Sequence, residues 1–233
     1  MKKVLFILLA SVLSFGSAQA IDYNFSVGVS LNQSVFAATG KEDNYSETGV
    51  SGGSIVTEEY GAFEDAYPSI FAEIGLNESF SIGGSIQGEF NTPENTNERC
   101  TSHMANCNSA GETTPTSKVS ADFEDYFTIY AKANIPLGGL YVKAGWSRVD
   151  VIVNEAQASG NTYPDTNTEG YMVGIGYQID ANSGVSVRAE IQGHAFNDVQ
   201  VDNGKSKSSG NYNSITVSDM IGATGSISIV KTF

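Results

Sequence analysis

A regular alternation of apolar and polar residues begins at Ile21 and constrains the fold more than any other feature. Odd positions from Ile21 to Leu31 are apolar, whereas even positions from Asp22 to Asn32 are small or polar. Successive side chains of a strand point to opposite faces, so this pattern predicts a strand with one apolar face. Seven more such stretches are expected at 70–76, 80–90, 123–135, 140–146, 171–179, 185–191 and 221–233. The sequence therefore predicts an all-β fold of eight strands.

The segments between these strands alternate between long and short. Long polar segments cover roughly 37–66, 92–119, 154–169 and 197–212, and short ones cover 77–79, 136–139 and 180–184. Outer-membrane barrels combine short periplasmic turns with long extracellular loops. The order therefore predicts an antiparallel up-and-down transmembrane β-barrel, with four long extracellular loops and both termini at the periplasmic end.

The polar face of the strands distinguishes a membrane barrel from a secreted β-sandwich or a lipocalin-type barrel. Small residues such as Ser26, Gly28 and Ser30 fill this face, which suits a crowded lumen better than a surface facing water. The aromatic residues predict two girdles at the membrane interfaces. The expected periplasmic girdle is Tyr23, Phe80, Tyr177 and Phe233, and the expected outer girdle is Phe90, Phe123, Phe127, Trp146 and Tyr171.

The first 20 residues have the pattern of a cleavable signal peptide. Lys2 and Lys3 precede an apolar run over residues 4–15, and the small residues Ala18 and Ala20 suit a signal peptidase that cuts before Ile21. The run is too short for a retained membrane helix, which needs about 20 apolar residues. We therefore expect residues 21–233 to form a single barrel domain in the cell outer membrane.

Charge and cysteine content narrow the chemistry. The chain has 26 acidic against 12 basic residues, which disfavours nucleic acid and acidic substrates as partners. Cys100 and Cys107 lie in one long connection, and export to an oxidising compartment predicts a disulfide between them. A metal site that includes His103 is the less favoured alternative, because a fourth ligand is missing. We expect no metal and no cofactor.

Strand parity places a set of charged side chains inside the barrel. They are Glu73, Glu89, Lys132, Lys143, Arg188 and Glu190. Lys132 is expected directly opposite Lys143, a repulsive pair unless carboxylates neutralise it. Because an eight-stranded barrel is just wide enough for side chains to fill, we interpret the set as an ionic network in a filled barrel. A narrow pore gated by these charges is the alternative.

The last strand, residues 227–233, alternates and ends in phenylalanine. With this ending the chain resembles the small outer-membrane β-barrel proteins typified by the transmembrane domain of OmpA and by OmpX. The resemblance covers residues 21–233. It implies that Ile229 and Phe233 form the signal read by the barrel-assembly machinery. The other expected partners are outer-membrane lipid and lipopolysaccharide, and the protein is expected to be a monomer.

Histidine usage bears on catalysis. The two histidines are His103 and His194, and no serine follows two residues after His194. A triad of His194, Asp198 and a loop serine is the one catalytic arrangement that the sequence suggests. We predict that the chain is not an enzyme and has a structural role with its loops available for surface interaction. A small porin-like channel and a lipid A-modifying enzyme are the alternatives.

Overall fold

The computed structural model describes residues 24–45, 54–98, 116–156, 162–207 and 212–233. Tyr23, the predicted signal peptide and both cysteines lie outside these ranges, so cleavage before Ile21 and the disulfide between Cys100 and Cys107 stay predictions. No helix in the described residues is long and apolar enough to cross a bilayer.

The described residues form one antiparallel sheet that closes on itself. The strands are β1 (Asn24–Tyr45), β2 (Ser54–Gly75), β3 (Phe80–Gln87), β4 (Phe90–Asn91), β5 (Asn95–Glu98), β6 (Thr116–Asn134), β7 (Leu140–Ala156), β8 (Thr166–Asp180), β9 (Val185–Phe196), β10 (Val199–Asp202) and β11 (Asn213–Thr232). The ring follows the order β1-β2-β3-β6-β7-β8-β9-β11, and β11 pairs with β1. The predicted eight-stranded antiparallel barrel is therefore confirmed, and the short strands β4, β5 and β10 extend its wall.

Closure of the ring depends on the ladder between the first and last strands. This ladder runs from Ser26 opposite Thr232 to Asn44 opposite Asn213. The amide of Phe233 continues it by donating to the carbonyl of Phe25 at 2.8 Å. The ladder between β1 and β11 leaves no unpaired strand edge at this junction, where each unsatisfied backbone group facing lipid would cost several kcal/mol.

The turns at one end of the barrel are short, and we call this end, which the sequence predicts to face the periplasm, the periplasmic end. In the turn between β6 and β7, Gly139 has a φ of +96°, and a Cβ added there would lie 2.3 Å from the carbonyl oxygen of Gln178. The amide of Gln178 donates to the carbonyl of Gly139 at 2.8 Å. Only glycine satisfies both the backbone angle and this close approach.

The outer surface of the barrel carries an apolar band. From Phe25 to Val35 the outward positions of β1 span ten residues, which rise roughly 25 Å at the usual strand tilt. The band includes Val27, Val29, Leu31, Val35, Ile70, Ile82, Ile129, Val142, Val173, Ile175, Ile179, Val187, Ile191, Ile221, Ile227 and Ile229, all exposed. Buried positions are mostly polar instead. A water-soluble barrel has the opposite arrangement, so this surface faces lipid.

The strands continue beyond the band, which corrects the expected loop boundaries. β1 and β2 pair without interruption up to Tyr45 and Ser54, so much of the segment 37–66 is strand rather than loop. We call residues 39–45, 54–60 and 213–218 the collar. Both faces of a sheet above the membrane meet water, so the backbone can pair there without a repeating apolar face. The periodic signal is therefore missing although the strands are present.

Two β-bulges reverse the inward and outward pattern at the outer end of the band. On β6, Glu124 lies opposite Asp150 of β7 and Phe127 lies opposite Arg148, so β6 has one extra residue there. Asp125, within this bulge, has a φ of 49°. On β11, Asp219 has a φ of 54° at the corresponding irregularity against β1. Each extra residue exchanges the face toward which the following side chains point.

The break between β3 and β4 has the same effect. β3 ends at Gln87, Gly88 donates to the carbonyl of Pro68 at 2.7 Å, and pairing with β6 resumes at Phe90 opposite Phe123. Phe90 and Phe123 therefore point into the lumen, and their assignment to the outer girdle is wrong. Phe127 and Trp146 pack edge-to-face on each other at 5.5 Å, and Tyr171 is exposed.

The barrel wall also has a seam between β2 and β4. Within the described ranges, β2 pairs with β3 only from Ser69 to Gly75, and β4 and β5 pair with β6 alone. Pro68 has no amide hydrogen to continue the ladder. Phe63 stacks on Phe123 at 5.7 Å behind this gap, so side chains rather than backbone hydrogen bonds close the wall there.

Candidate functional site: the filled lumen

A buried carboxylate on β2 organises the periplasmic half of the lumen. Glu73 accepts two parallel hydrogen bonds from the guanidinium of Arg188, both at 2.7 Å. It also accepts one from Lys132 at 2.9 Å and one from the hydroxyl of Tyr130 at 3.0 Å. Arg188 also donates its Nε–H to Gln178 at 2.7 Å. Paired, charge-assisted hydrogen bonds of this kind fix both geometry and ionisation.

A second carboxylate lies on β9. Glu190 accepts from Lys143 at 3.0 Å, from Gln192 at 2.6 Å and from the hydroxyl of Tyr141. The ammonium of Lys143 lies 3.9 Å from the centre of the Tyr130 ring, a favourable cation–π distance. We call Glu73, Lys132, Lys143, Arg188 and Glu190 the ionic plug.

The register explains how two lysines tolerate each other. Lys132 of β6 lies directly opposite Lys143 of β7, as the sequence predicts. Each ammonium turns to a different carboxylate, Glu73 for Lys132 and Glu190 for Lys143. The repulsion expected for a cross-strand pair of like charges is thereby offset.

Glu89 does not belong to this network. The side chain is exposed, because the break after Gln87 reverses the parity from which its inward orientation was predicted. Of the predicted set, the structure brings together the other five residues. The plug consequently has three cations and two carboxylates.

A layer of hydroxyl groups and one histidine lies above the ionic plug. The hydroxyl of Ser34 is 2.8 Å from that of Tyr67 and 2.7 Å from that of Thr224. The ring nitrogens of His194 lie 3.0 Å from the Thr224 hydroxyl and 3.3 Å from that of Tyr126. The free space here has a volume of only about 20 Å³, room for about one water molecule.

The geometry around His194 differs from the triad that the sequence suggests. His194 is 7% exposed, and both of its ring nitrogens face hydroxyl groups of the lumen. Asp198 lies beyond the end of β9 and is exposed. The structure therefore does not bring the two side chains together.

Aromatic side chains fill the outer end of the lumen. Phe90 stacks on Phe36 at 5.4 Å, on Tyr67 at 4.9 Å and on Phe123 at 4.8 Å. We call this cluster the aromatic plug: Phe36, Phe63, Tyr67, Phe90, Phe123, Tyr126, Val149 and Phe196.

Sequence reasoning missed this cluster, although part of it carries a signal. Phe36 continues the inward phase of β1, and Phe196 continues that of β9 after His194. For Phe90 and Phe123 the alternation along the strand predicts the lipid-facing side, although both rings lie in the lumen. The only local hint is Asp125, since aspartate tolerates a positive φ better than most residues.

The two residues assigned to the assembly signal lie on the outer surface. Ile229 faces outward within the apolar band. Phe233 is exposed, and its ring is 6.4 Å from that of Phe25 across the closing ladder. Their recognition by the assembly machinery stays a prediction. Among the described residues no three histidine, cysteine or acidic side chains are placed to hold a metal ion.

Several solved structures are similar to this chain. No family model matches the chain, and no curated protein matches it. Similar solved structures include the outer-membrane protein OprG from Pseudomonas aeruginosa, with 12% identity over 88% of this chain and 96% of that chain and a TM-score of 0.49. The attachment invasion locus protein Ail of Yersinia pestis has 11% identity over 91% and 100%, with a TM-score of 0.44.

The protein is an outer-membrane β-barrel. Its own lipid-facing band and polar lumen carry that conclusion. One comparison corrects a prediction. The outer-membrane protease OmpT from Escherichia coli is similar over 93% of this chain and 100% of that chain, with 8% identity and a TM-score of 0.45. A protease is among the similar structures, so the prediction that the chain is not an enzyme is wrong: this fold does not exclude catalysis.

Proposed function

We propose that the protein is a closed barrel that anchors the collar and its loops at the cell surface and acts through contacts made there. One observation carries the proposal. The ionic plug and the aromatic plug close the lumen at two levels, and the polar layer between them leaves only about 20 Å³ of free space. A filled lumen leaves the outer end of the molecule as the region available to partners.

The same packing disfavours the alternative of a small channel. A continuous water path would have to separate the Glu73–Arg188 pair, whose two hydrogen bonds are 2.7 Å long. It would also have to pass stacked rings around Phe90. Either step exposes groups whose present partners are lost, and breaking a buried ion pair costs about 3–5 kcal/mol.

The collar has the properties of a display surface. Its strands are held by continuous ladders from β1 to both β2 and β11, which give it more rigidity than a loop. Glu58 and Glu59 are exposed on it beside Lys41, and Tyr60 is 74% exposed. We propose a partner that meets an acidic surface with an accessible aromatic ring. In this proposal the band contacts outer-membrane lipid and lipopolysaccharide, and the barrel is a monomer inserted by the assembly machinery.

The first test is electrical. The purified protein, inserted into planar lipid bilayers, is expected to give no discrete current steps. The double variant Phe36→Ala/Phe90→Ala, which removes two stacked rings, should give more frequent current fluctuations than the wild type. A steady ohmic conductance of the wild-type protein would contradict a closed barrel.

The second test removes the collar. Ala38 lies opposite Gly61, so a two-residue Asn-Gly turn can join them in place of residues 39–60. This variant should still show the heat-modifiable gel migration of a folded barrel but should lose cell attachment to immobilised glycans and matrix proteins. Attachment equal to that of the wild type, at equal surface expression, would overturn the role of the collar.

A further inference from the structure

The ionic plug has an unbalanced positive charge, and its position can be assigned. Lys143 and Glu190 neutralise each other. Lys132 and Arg188 instead share the single carboxylate of Glu73. Glu73, Lys132 and Arg188 are all almost fully buried. A net charge in such surroundings is unfavourable unless a counter-charge lies near it.

The surplus faces a cavity at the periplasmic end. This cavity has a volume of about 260 Å³, and Lys132, Arg188 and Glu73 form its inner end. Exposed turn residues, including Asn77 and Asp180, lie at its mouth. We call it the periplasmic vestibule. It has room for a small ion with part of its hydration shell.

A buried hydroxyl without a partner lines the same cavity. Ser186 of β9 is 2% exposed, and its Oγ has no hydrogen-bond partner among the described residues. Buried polar groups are nearly always paired, so an unpaired one calls for an explanation. Lys132 uses one of its three N–H groups for Glu73. The vestibule is therefore lined by hydrogen-bond donors of Lys132 and Ser186 that have no partner among the described residues, and by a surplus positive charge.

We propose that the periplasmic vestibule binds one small oxyanion, a phosphate or a carboxylate. Its oxygens accept from Lys132 and Ser186, and Arg188 contributes charge while it remains paired with Glu73. The bound anion balances the charge of the lower lumen. The carboxylates of Glu78 and Asp180 at the mouth are exposed, where solvent and salt screen them, whereas the cations at the inner end are buried.

The anion can be free in solution or can be the end group of a larger molecule. Isothermal titration of the folded full-length barrel in an uncharged maltoside detergent distinguishes these sources. The probes are inorganic phosphate, acetate, and a short peptide with either a free or an amidated C-terminus. Saturable binding of phosphate and acetate is expected. Binding of the free but not the amidated peptide would show that the site also accepts a carried carboxylate, whereas equal failure of both would restrict the proposal to free anions.

Variants locate the site. Lys132→Gln removes the surplus charge and leaves Glu73 paired with Arg188, so it should fold and bind phosphate at least about tenfold more weakly. Ser186→Ala should weaken binding by about tenfold, the effect of one lost hydrogen bond to a charged acceptor. Lys231→Gln is the matched control, because it removes the same charge at the periplasmic end outside the cavity. Its affinity should stay within about twofold of the wild type.

Two results would overturn the proposal: wild-type protein without saturable phosphate binding, or an equal loss of affinity in Lys231→Gln and Lys132→Gln. If Lys132→Gln does not fold, NMR of the wild-type barrel decides. Added phosphate should then shift the backbone amide resonances of Lys132 and Ser186 and leave those of the collar unchanged. Shifts spread equally over both regions, or none, would reject the site.

Discussion

The ionic plug and the aromatic plug close the same lumen by opposite means. The ionic plug is built from charged side chains on β2, β6, β7 and β9, at a level of the barrel where the ladders are regular. The aromatic plug lies at the level of the bulges at Asp125 and Asp219 and of the break after Gln87, where stacked rings replace ion pairs. The comparison shows that a regular register places single charges accurately inside the barrel. A bulge instead moves apolar side chains from the lipid-facing side of a strand into the lumen.

The largest expected effect comes from removing the central carboxylate of the ionic plug. Glu73→Gln leaves Lys132 and Arg188 buried without their partner, and we expect a loss of about 3–5 kcal/mol in the free energy of unfolding. Urea unfolding of the barrel in lipid vesicles measures it. Glu89→Gln is the matched control and should change stability by less than about 0.5 kcal/mol, because Glu89 is exposed. Equal losses for the two variants would refute the separation of Glu89 from the network.

Next in size is the loss of the central ring of the aromatic plug. Phe90→Ala should reduce the free energy of unfolding by about 3 kcal/mol, since it leaves a cavity among Phe36, Tyr67 and Phe123. The control is Phe80→Ala on the outer surface, which opens no internal cavity and should lose clearly less in the same assay. A larger loss of unfolding free energy for Phe80→Ala would contradict the position of Phe90 in the lumen and would favour its assignment to the lipid-facing girdle.

A smaller effect is expected for a charge placed on the outer face beside the ionic plug. Ala189 faces lipid, while its neighbour Arg188 is buried in the lumen. Ala189→Arg should therefore destabilise the inserted barrel by about 2 kcal/mol. Thermal unfolding in vesicles measures the loss, and the same substitution at exposed Asn197, beyond the end of β9, is the control. A neutral Ala189→Arg would contradict the assignment of this face to lipid.

The smallest effect concerns communication between the two plugs. The hydroxyl layer around Ser34 and His194 separates them, and among the described residues no hydrogen bond joins Glu73 to a ring of the aromatic plug. The combination Glu73→Gln/Phe90→Ala should therefore equal the sum of the single losses within about 0.5 kcal/mol. A coupling above about 1 kcal/mol would show that the two plugs form one packed unit.

Much of this molecule could be predicted from the sequence because its physical rules are local. Alternation in β1 and in the strands that follow predicted the ring, and parity oriented Arg188 and Glu190 inward. The collar escaped prediction because water on both faces imposes no period on its residues. Glu89, Phe90 and Phe123 were misassigned because an extra residue in a strand leaves no mark in an alternating pattern.

The most direct test of the account is the side-chain phase along β6 on both sides of the bulge. Single cysteines from Ala121 to Ala133, in a chain with Cys100 and Cys107 replaced by serine, are exposed to a lipid-restricted thiol label in intact outer membranes. Below the bulge, positions 127, 129 and 131 should react, while 126, 128 and 130 should be protected. Above it the phase should reverse, so that position 123 is protected although it shares the parity of 127. Labelling of position 123 as strong as that of 127 would contradict the inward turn of the aromatic plug.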